Sequence, residues 1–324
     1  MKQLLTLKEE DLIFFDIETA KLEQNIENNP NLHSAWIYKA RNQNEVVRKT
    51  GEMMTAEEYY NEKAALYAPF GRVVTVVVGR IVDNKIILKS YASYDEKELL
   101  KAFSEDLDKI YSARPNTRLV GFNSIGFDTP FLVKRMIVNG IRPNDLLDEG
   151  GAKPWEVRSV DLAQIWKGNA FYMDSLSAVA ATFGLPTPKD ALDGSQVSDA
   201  FYENRLDEIV TYCQKDVETT IRLFRKMKMG VDLDSGFEIK KAVEIKNIPL
   251  LEKLYLQNYL SEEIKEELEK ILSKKKITKK DKENIQIILD GVYIRDTFMA
   301  SDDSETVERK KNEISEFLKN NYYI

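Results

Sequence analysis

Two carboxylates near the start of the chain, Asp16 and Glu18, are the first residues whose type and spacing could do chemistry. They close the run Leu12-Ile13-Phe14-Phe15-Asp16-Ile17-Glu18, whose four leading apolar residues are too few for a helical core and read as a buried strand. Alternate residues of a strand point to one side, so the two carboxylates project together from its end. Anions held that close, and partly withdrawn from water, repel each other and lose solvation. A divalent cation bound through oxygen ligands removes both costs. Asp-x-Glu also ends strands that simply meet water, so the pair acquires meaning only with further residues.

Further candidates lie downstream. Asp128 closes the stretch Asn123-Ser124-Ile125-Gly126-Phe127-Asp128, between a strand and a helix. It is either a third ligand or the cap of the helix that follows, a role aspartate often fills. Tyr212 and Asp216 stand four residues apart in a helical stretch and share a face. They read as a fourth carboxylate with a phenol beside it, or as a buried tyrosine next to a solvated acid. Asp161 ends another strand and reads as a structural or supporting group. The chain has one histidine, His33, and one cysteine, Cys213. That excludes an internal disulfide, a cysteine-rich zinc site, a histidine-based metal cluster and most catalytic triads. A metal here should be a hard cation held by carboxylates.

In this order, Asp16-Ile17-Glu18-Thr19, Asn-x-x-x-Phe-Asp at 123–128 and Tyr-x-x-x-Asp at 212–216 resemble the DEDDy group of 3′–5′ exonucleases, which have the ribonuclease H-like (DnaQ-like) fold. The middle motif is most similar to the proofreading exonuclease domains of family B DNA polymerases and their stand-alone phage and bacterial relatives. The resemblance covers residues 11–228. A sister group carries a histidine five residues before the last aspartate, and here the sole histidine, in an insertion, leaves only the tyrosine type.

The resemblance implies two divalent cations, Mg2+ or Mn2+, about 3.5–4 Å apart, that stabilise the attacking and leaving oxygens of phosphodiester hydrolysis. It makes Asp16, Glu18, Asp128, Tyr212 and Asp216 the catalytic set. Asp16 would bridge the cations, Glu18 and Asp216 would complete the one that holds the water, and Asp128 would hold the other. Tyr212 would orient that water. A free tyrosine has a pKa near 10, so it is not expected to be the sole base. Thr19, Asn123, Phe127 and Lys189 are the expected substrate contacts. Phe127 either stacks on the terminal base or packs in the core. Asn123 either bonds the substrate strand or holds its loop. The loop 189–196 either crosses the mouth of the site, bringing Lys189 to a phosphate, or is an exposed connector.

The elements that must position these residues read as α/β: a mixed sheet flanked by helices. Strands are expected at Leu12–Glu18, Val73–Val82, Ile86–Tyr91, Arg118–Phe122 and Val157–Leu162, the second and third forming a hairpin. Helices are expected at Asp95–Ser112, Thr129–Asn139, Met173–Phe183 and over most of Ser198–Met229. Residues 21–70 read as a helical insertion with Thr55 as an N-cap. Residues 1–230 form the expected exonuclease domain. Residues 231–324 form a charged, mainly helical C-terminal region with helical stretches at Pro249–Ser273 and Asp303–Asn320. Between these lies a lysine-rich run, Lys274–Lys282.

DNA, as a single strand or a primer 3′ end, is the expected substrate, in replication or repair. RNA is the rival within the same chemistry, and a non-catalytic nucleic-acid or replication-complex module the rival outside it. The C-terminal region would hold a template strand, link helices or dock a replication or repair protein. A net charge of −7 over 324 residues argues against a protein that coats DNA non-specifically, although local patches govern binding. Without an N-terminal apolar segment or a run of 18 apolar residues, no membrane association is expected. A cytoplasmic, reducing setting, in a bacterial cell or phage-infected host, follows from that reading.

Overall fold

The structure is a computed structural model that describes residues 2–42, 54–82, 85–153, 156–186, 192–229 and 239–246, with Lys270. Two compact units divide the chain, Met1–Glu244 and Ile245–Ile324, and the sheet belongs to the first except for the last two residues of its final strand. Its strands are β1 (Leu12–Lys21), β2 (Gly71–Val82), β3 (Lys85–Ser93), β4 (Arg118–Gly121), β5 (Val160–Asp161) and β6 (Ile239–Lys246), in the order β5-β4-β1-β2-β3-β6. The hairpin strand β2 runs antiparallel to β1 and β3, while β4 is parallel to β1 and β5 to β4. This is the expected mixed α/β sheet flanked by helices, with β6 added at its far edge.

β1 is central, which explains its continuous apolar run: a strand covered on both faces has no solvent side to mark with polar residues. Leu12 and Phe14 enter one core with Cys213, Val217, Ile221 and Phe224. Ile13, Phe15 and Ile17 enter the other with Leu99, Phe103, Phe131 and Leu132. The first core is roofed by α9 (Leu206–Met229), the second by α4 (Glu96–Ala113) and α5 (Asp128–Val138). α4 starts where Asp95 accepts from the backbone N–H groups of Lys97 and Glu98, as an N-cap does. A short α1 (Lys2–Thr6) packs Leu4 into the first core.

The insertion between β1 and β2 carries α2 (Pro30–Asn42) and α3 (Ala56–Lys63). Thr55 and Glu58 form a reciprocal capping box at the start of α3. Trp36 is fully buried among Tyr59, Tyr60 and Phe70, giving the insertion a small core of its own.

Several boundaries differ from expectation. β1 continues three residues past Glu18, so the two carboxylates stand within the strand rather than at its end. β5 shrinks to Val160–Asp161 because Asp161 caps α6 (Leu162–Lys167), turning the chain into a helix at once. The helix expected from Met173 starts at Ser175, the N-cap of α7 (Leu176–Thr182), and stops before Gly184, whose φ of 71° suits glycine. The last helical stretch is broken into α8 (Val197–Tyr202) and α9 at Asn204, which adopts φ 61°. Lys189, the helices expected at 249–273 and 303–320, and the run Lys274–Lys282 lie outside the described residues.

Candidate active site

β4 pairs with β1 only over Leu12–Phe14. Beyond Phe14, one edge of the central strand loses its neighbour, and there the site forms. The chain leaves β4 sharply: a Cβ on Gly121 would lie 2.4 Å from Ser124 Cβ, so glycine is required. Asn123 follows with φ 61°, a conformation asparagine tolerates. Asp161 clamps this loop, accepting from Asn123 N at 2.8 Å and Ile125 N at 3.1 Å. The loop feeds α5, whose first residue is Asp128.

Asp128 does not cap that helix through its side chain. Its Oδ1 accepts from the N–H of Ile17 at 3.1 Å, the peptide between the two carboxylates of β1. The side chain takes up the Ile17 backbone donor on the edge that β4 has vacated. Asp128 thus reaches the site from the side of α5, while Asp16 and Glu18 face the side of α9. Opposite Glu18, the pairing of β1 with β2 shifts register between Glu18 and Thr19. Such a bulge bends a strand and re-aims its side chains.

α9 supplies the rest. Its apolar stripe at Cys213, Val217, Ile221 and Phe224 follows helical spacing and docks it across the sheet, with Phe224 edge-on to Phe14 at 5.3 Å. Tyr212 and Asp216 flank that stripe one turn apart, close enough that the phenol and the carboxylate each shift the other's pKa. The Cys213 thiol lies 3.4 Å from Asp16 Oδ2 and 3.5 Å from the Asp16 carbonyl oxygen. Gln214 Nε2 donates to Ser90 Oγ at 2.9 Å, tying α9 to β3.

Asp16, Glu18, Asp128 and Asp216 are all held above the ordinary carboxylate range. For Asp16 and Glu18 the shift is large; burial is the main cause, and repulsion from the other site acids adds to it. Burial pushes Asp128 up to about 7, against the relief given by the Ile17 N–H. Asp216 is raised to about 6 by burial, with the Tyr212 hydrogen bond opposing. Burial and the neighbouring acids drive the Tyr212 phenol upward too, so at neutral pH it carries its proton and acts as a donor.

The donor set fits a hard divalent cation. Ligand atoms of Asp16, Glu18 and Cys213 lie within 4.8 Å of one another. Asp216 Oδ1 is buried with no hydrogen-bond partner, an expensive arrangement unless a cation takes it up. Cys213 is not a natural member of that set. Its pKa is pushed well up by burial and the surrounding acids, and a protonated thiol offers little to a hard cation.

The structure brings Asp16, Glu18, Asp128, Tyr212 and Asp216 to one place. Phe127 is half-buried, packed against the second core with its ring 5.4 Å from Phe131. Asn123 holds the loop through its backbone. Thr19 is buried and its hydroxyl donates to Ala65 O at 2.8 Å, in the insertion. Asp161 is a scaffold acid that accepts four backbone N–H groups. In the sequence Cys213 serves only to exclude an internal disulfide and a cysteine-rich zinc site, and its nearness to Asp16 goes unseen. Its place within Tyr212-Cys213-Gln214-Lys215-Asp216 was the available signal, because the residue after Tyr212 turns towards the sheet.

Four carboxylates thus converge at the edge of the central strand that β4 leaves open, a set of donors of the kind that holds hard cations. Residues 65–262 match the family described as predicted 3′–5′ exonucleases related to the exonuclease domain of PolB, and the chain belongs to that family. The matched span contains Asp128, Tyr212 and Asp216 and begins after β1. Among solved structures, the family B DNA polymerase from the hyperthermophilic archaeon Pyrobaculum calidifontis matches at 18% identity with a TM-score of 0.43. The match covers 67% of this chain and 24% of that one, so the chain spans about a quarter of the polymerase's length. No curated protein matches the chain. Among the described residues, no helix is long and apolar enough to cross a membrane.

Proposed function

We propose that this site hydrolyses the terminal phosphodiester at the 3′ end of DNA, single-stranded or at a primer end, in replication or repair. The observation that carries the reading is a cluster of four acids whose pKa values are raised by burial and by one another. Such a cluster is costly to fold and useful where charge must be delivered to a reacting group. One or two Mg2+ or Mn2+ ions, when bound, supply the positive charge that the attacking and departing oxygens need. Asp16, Glu18 and Asp216 would hold them, and Asp128 would add the oxygen that Ile17 does not occupy. Tyr212 keeps its proton and orients the attacking water by hydrogen bonding. Phe127, half-exposed beside Asp128, offers a ring face to the terminal base, a contact that tolerates any sequence. Thr19 and Asn123 have positions explained by the loops they hold.

Family membership and the Asn-x-x-x-Phe-Asp motif favour DNA over RNA. The test is digestion of matched single-stranded DNA and RNA, labelled at the 5′ end, with Mg2+, with Mn2+ and with a chelator. Stepwise shortening of DNA that the chelator stops is expected. Faster shortening of RNA would move the substrate, and no shortening of either would leave a nucleic-acid-binding module.

Residues 231–324, in this reading, add binding strength through their lysine run or dock a replication protein, and carry no chemistry. Because β6 pairs into the sheet, the informative truncation follows Lys246. It should weaken DNA binding, by less as salt rises, and leave hydrolysis at saturating substrate intact.

A further inference from the structure

We infer that the Cys213 thiol is a positioning residue: its S–H holds the Asp16 carboxylate in the orientation that receives the cation. The inference rests on the exonuclease reading for its consequence, but on geometry for its existence. Sγ lies 3.4 Å from Asp16 Oδ2 and 3.5 Å from the Asp16 carbonyl oxygen, both within reach of a sulfur donor. Among the described residues this is the one hydrogen bond that reaches the Asp16 side chain. Asp128 has a tether of its own, the Ile17 N–H. A carboxylate on an otherwise unrestrained Cα–Cβ–Cγ arm rotates, and an oxygen that must meet a cation at a fixed distance loses affinity when it does.

Packing alone would not select a thiol here. Cys213 is fully buried, in line with Val217 and Ile221, and an apolar residue would fill the stripe equally well. A thiol adds a weak donor to an apolar body, and it is aimed at the main chain and side chain of one residue. It is also the chain's only cysteine, which gives the bond a private spectroscopic signal.

The experiment uses the full chain and three substitutions: Cys213→Ser keeps a donor, whereas Cys213→Ala and Cys213→Val remove it with less and more volume. In wild type, the single S–H stretching band should lie at the lower frequency of a hydrogen-bonded thiol and move upward in Asp16→Ala. Mn2+ dissociation constants, measured without DNA, should rise about two- to tenfold in the Ala and Val variants, the range set by loss of one weak hydrogen bond. The Ser variant should stay within about twofold of wild type. Nucleotide release should show the same order in kcat, with KM for DNA unchanged. A free-thiol band that ignores Asp16→Ala overturns the inference, as does a Ser variant that tracks Ala, since those two nearly share a size and differ in the donor. A shifted band in a protein that releases no nucleotides would instead strike the exonuclease reading and leave the bond standing.

Discussion

Two clusters of buried acid chemistry lie on this sheet, and they are built by opposite rules. At Glu96, on α4, every oxygen is answered. It accepts from Val73 N at 2.7 Å, from Arg135 Nε at 2.9 Å and Nη2 at 2.6 Å, and from Asn139 Nδ2 at 2.9 Å. Arg135 spends a further donor on Ala68 O at 2.9 Å. Glu96 and Arg135 are each 4% exposed, and the pair joins α4, α5, β2 and the end of the insertion. At Asp16, Glu18, Asp128 and Asp216, acids face acids. A buried charge is stable only when paired and hydrogen-bonded, so the first cluster is scaffold. The second leaves its deficit for something that is not part of the chain. Val73, which gives its N–H to Glu96, pairs with Thr19 at the register shift beside Glu18. The satisfied cluster therefore shapes the strand pair on which the unsatisfied one stands.

The largest effects should separate the two. Asp16→Ala should cut nucleotide release by at least about 10³-fold, since the charge that stabilises the reacting oxygens goes with its ligand. The thermal midpoint in chelator should hold or rise slightly, because one member of a repelling set has gone. Glu96→Ala should do the reverse. It strands a buried guanidinium, a loss of about 3–5 kcal/mol in unfolding free energy, while turnover per folded molecule stays near wild type. Denaturant titration beside single-turnover kinetics reads both. If Asp16→Ala unfolds the protein, or Glu96→Ala is stable but inactive, the division of labour is wrong.

A smaller effect sharpens the active side. Tyr212→Phe removes the hydroxyl beside Asp216 and keeps the ring. If the phenol orients water without taking its proton, release should slow by about 10²-fold, near the low end for acid–base groups. Full activity would take Tyr212 out of the mechanism. A loss equal to that of Asp16→Ala would mean that the phenol does more than orient.

Much of this arrangement is legible in the chain because it depends on short-range pattern. The apolar run ending in Asp16-Ile17-Glu18 gives a strand with two acids on one face, and the four-residue spacing of Tyr212 and Asp216 gives one helix face. Asp128 is legible as important and illegible in its geometry. Whether an aspartate before a helix caps it or reaches across 111 positions to Ile17 N depends on where β4 stops, which no local pattern records. The Glu96–Arg135 pair is hidden for the same reason: each residue reads as an ordinary charged position on a helix, and only tertiary packing buries both. β5 is shorter than the stretch 157–162 suggests because its fifth residue, Asp161, is a helix cap, and the cap decides where the strand ends. Thr19 shows the limit of motif spacing, since it sits next to the acids in sequence while its hydroxyl serves the insertion.

The smallest predicted effect is a pH dependence that only the unsatisfied cluster should produce. Asp128 and Asp216 titrate near 7 and 6 in the folded chain and near 4 when unfolded, and Asp16 and Glu18 are raised as well. Between about pH 4 and 7 the folded, ion-free protein therefore holds protons that the unfolded chain releases. By linkage, that proton-bound stabilisation is complete below the unfolded pKa and is lost as pH rises through the folded values. In chelator the thermal midpoint should fall from pH 4.5 to 7.5, by about 2–4 °C for each kcal/mol lost in a domain of this size. Saturating Mn2+ should recover most of the loss at pH 7.5 and little at pH 4.5, because a cation needs the ionised acids. Asp128→Asn keeps an acceptor for Ile17 N and removes one titrating group, so it should flatten the ion-free slope. A midpoint that rises with pH in chelator would mean the four acids are compensated within the fold, like Glu96, and would erase the difference between the two clusters.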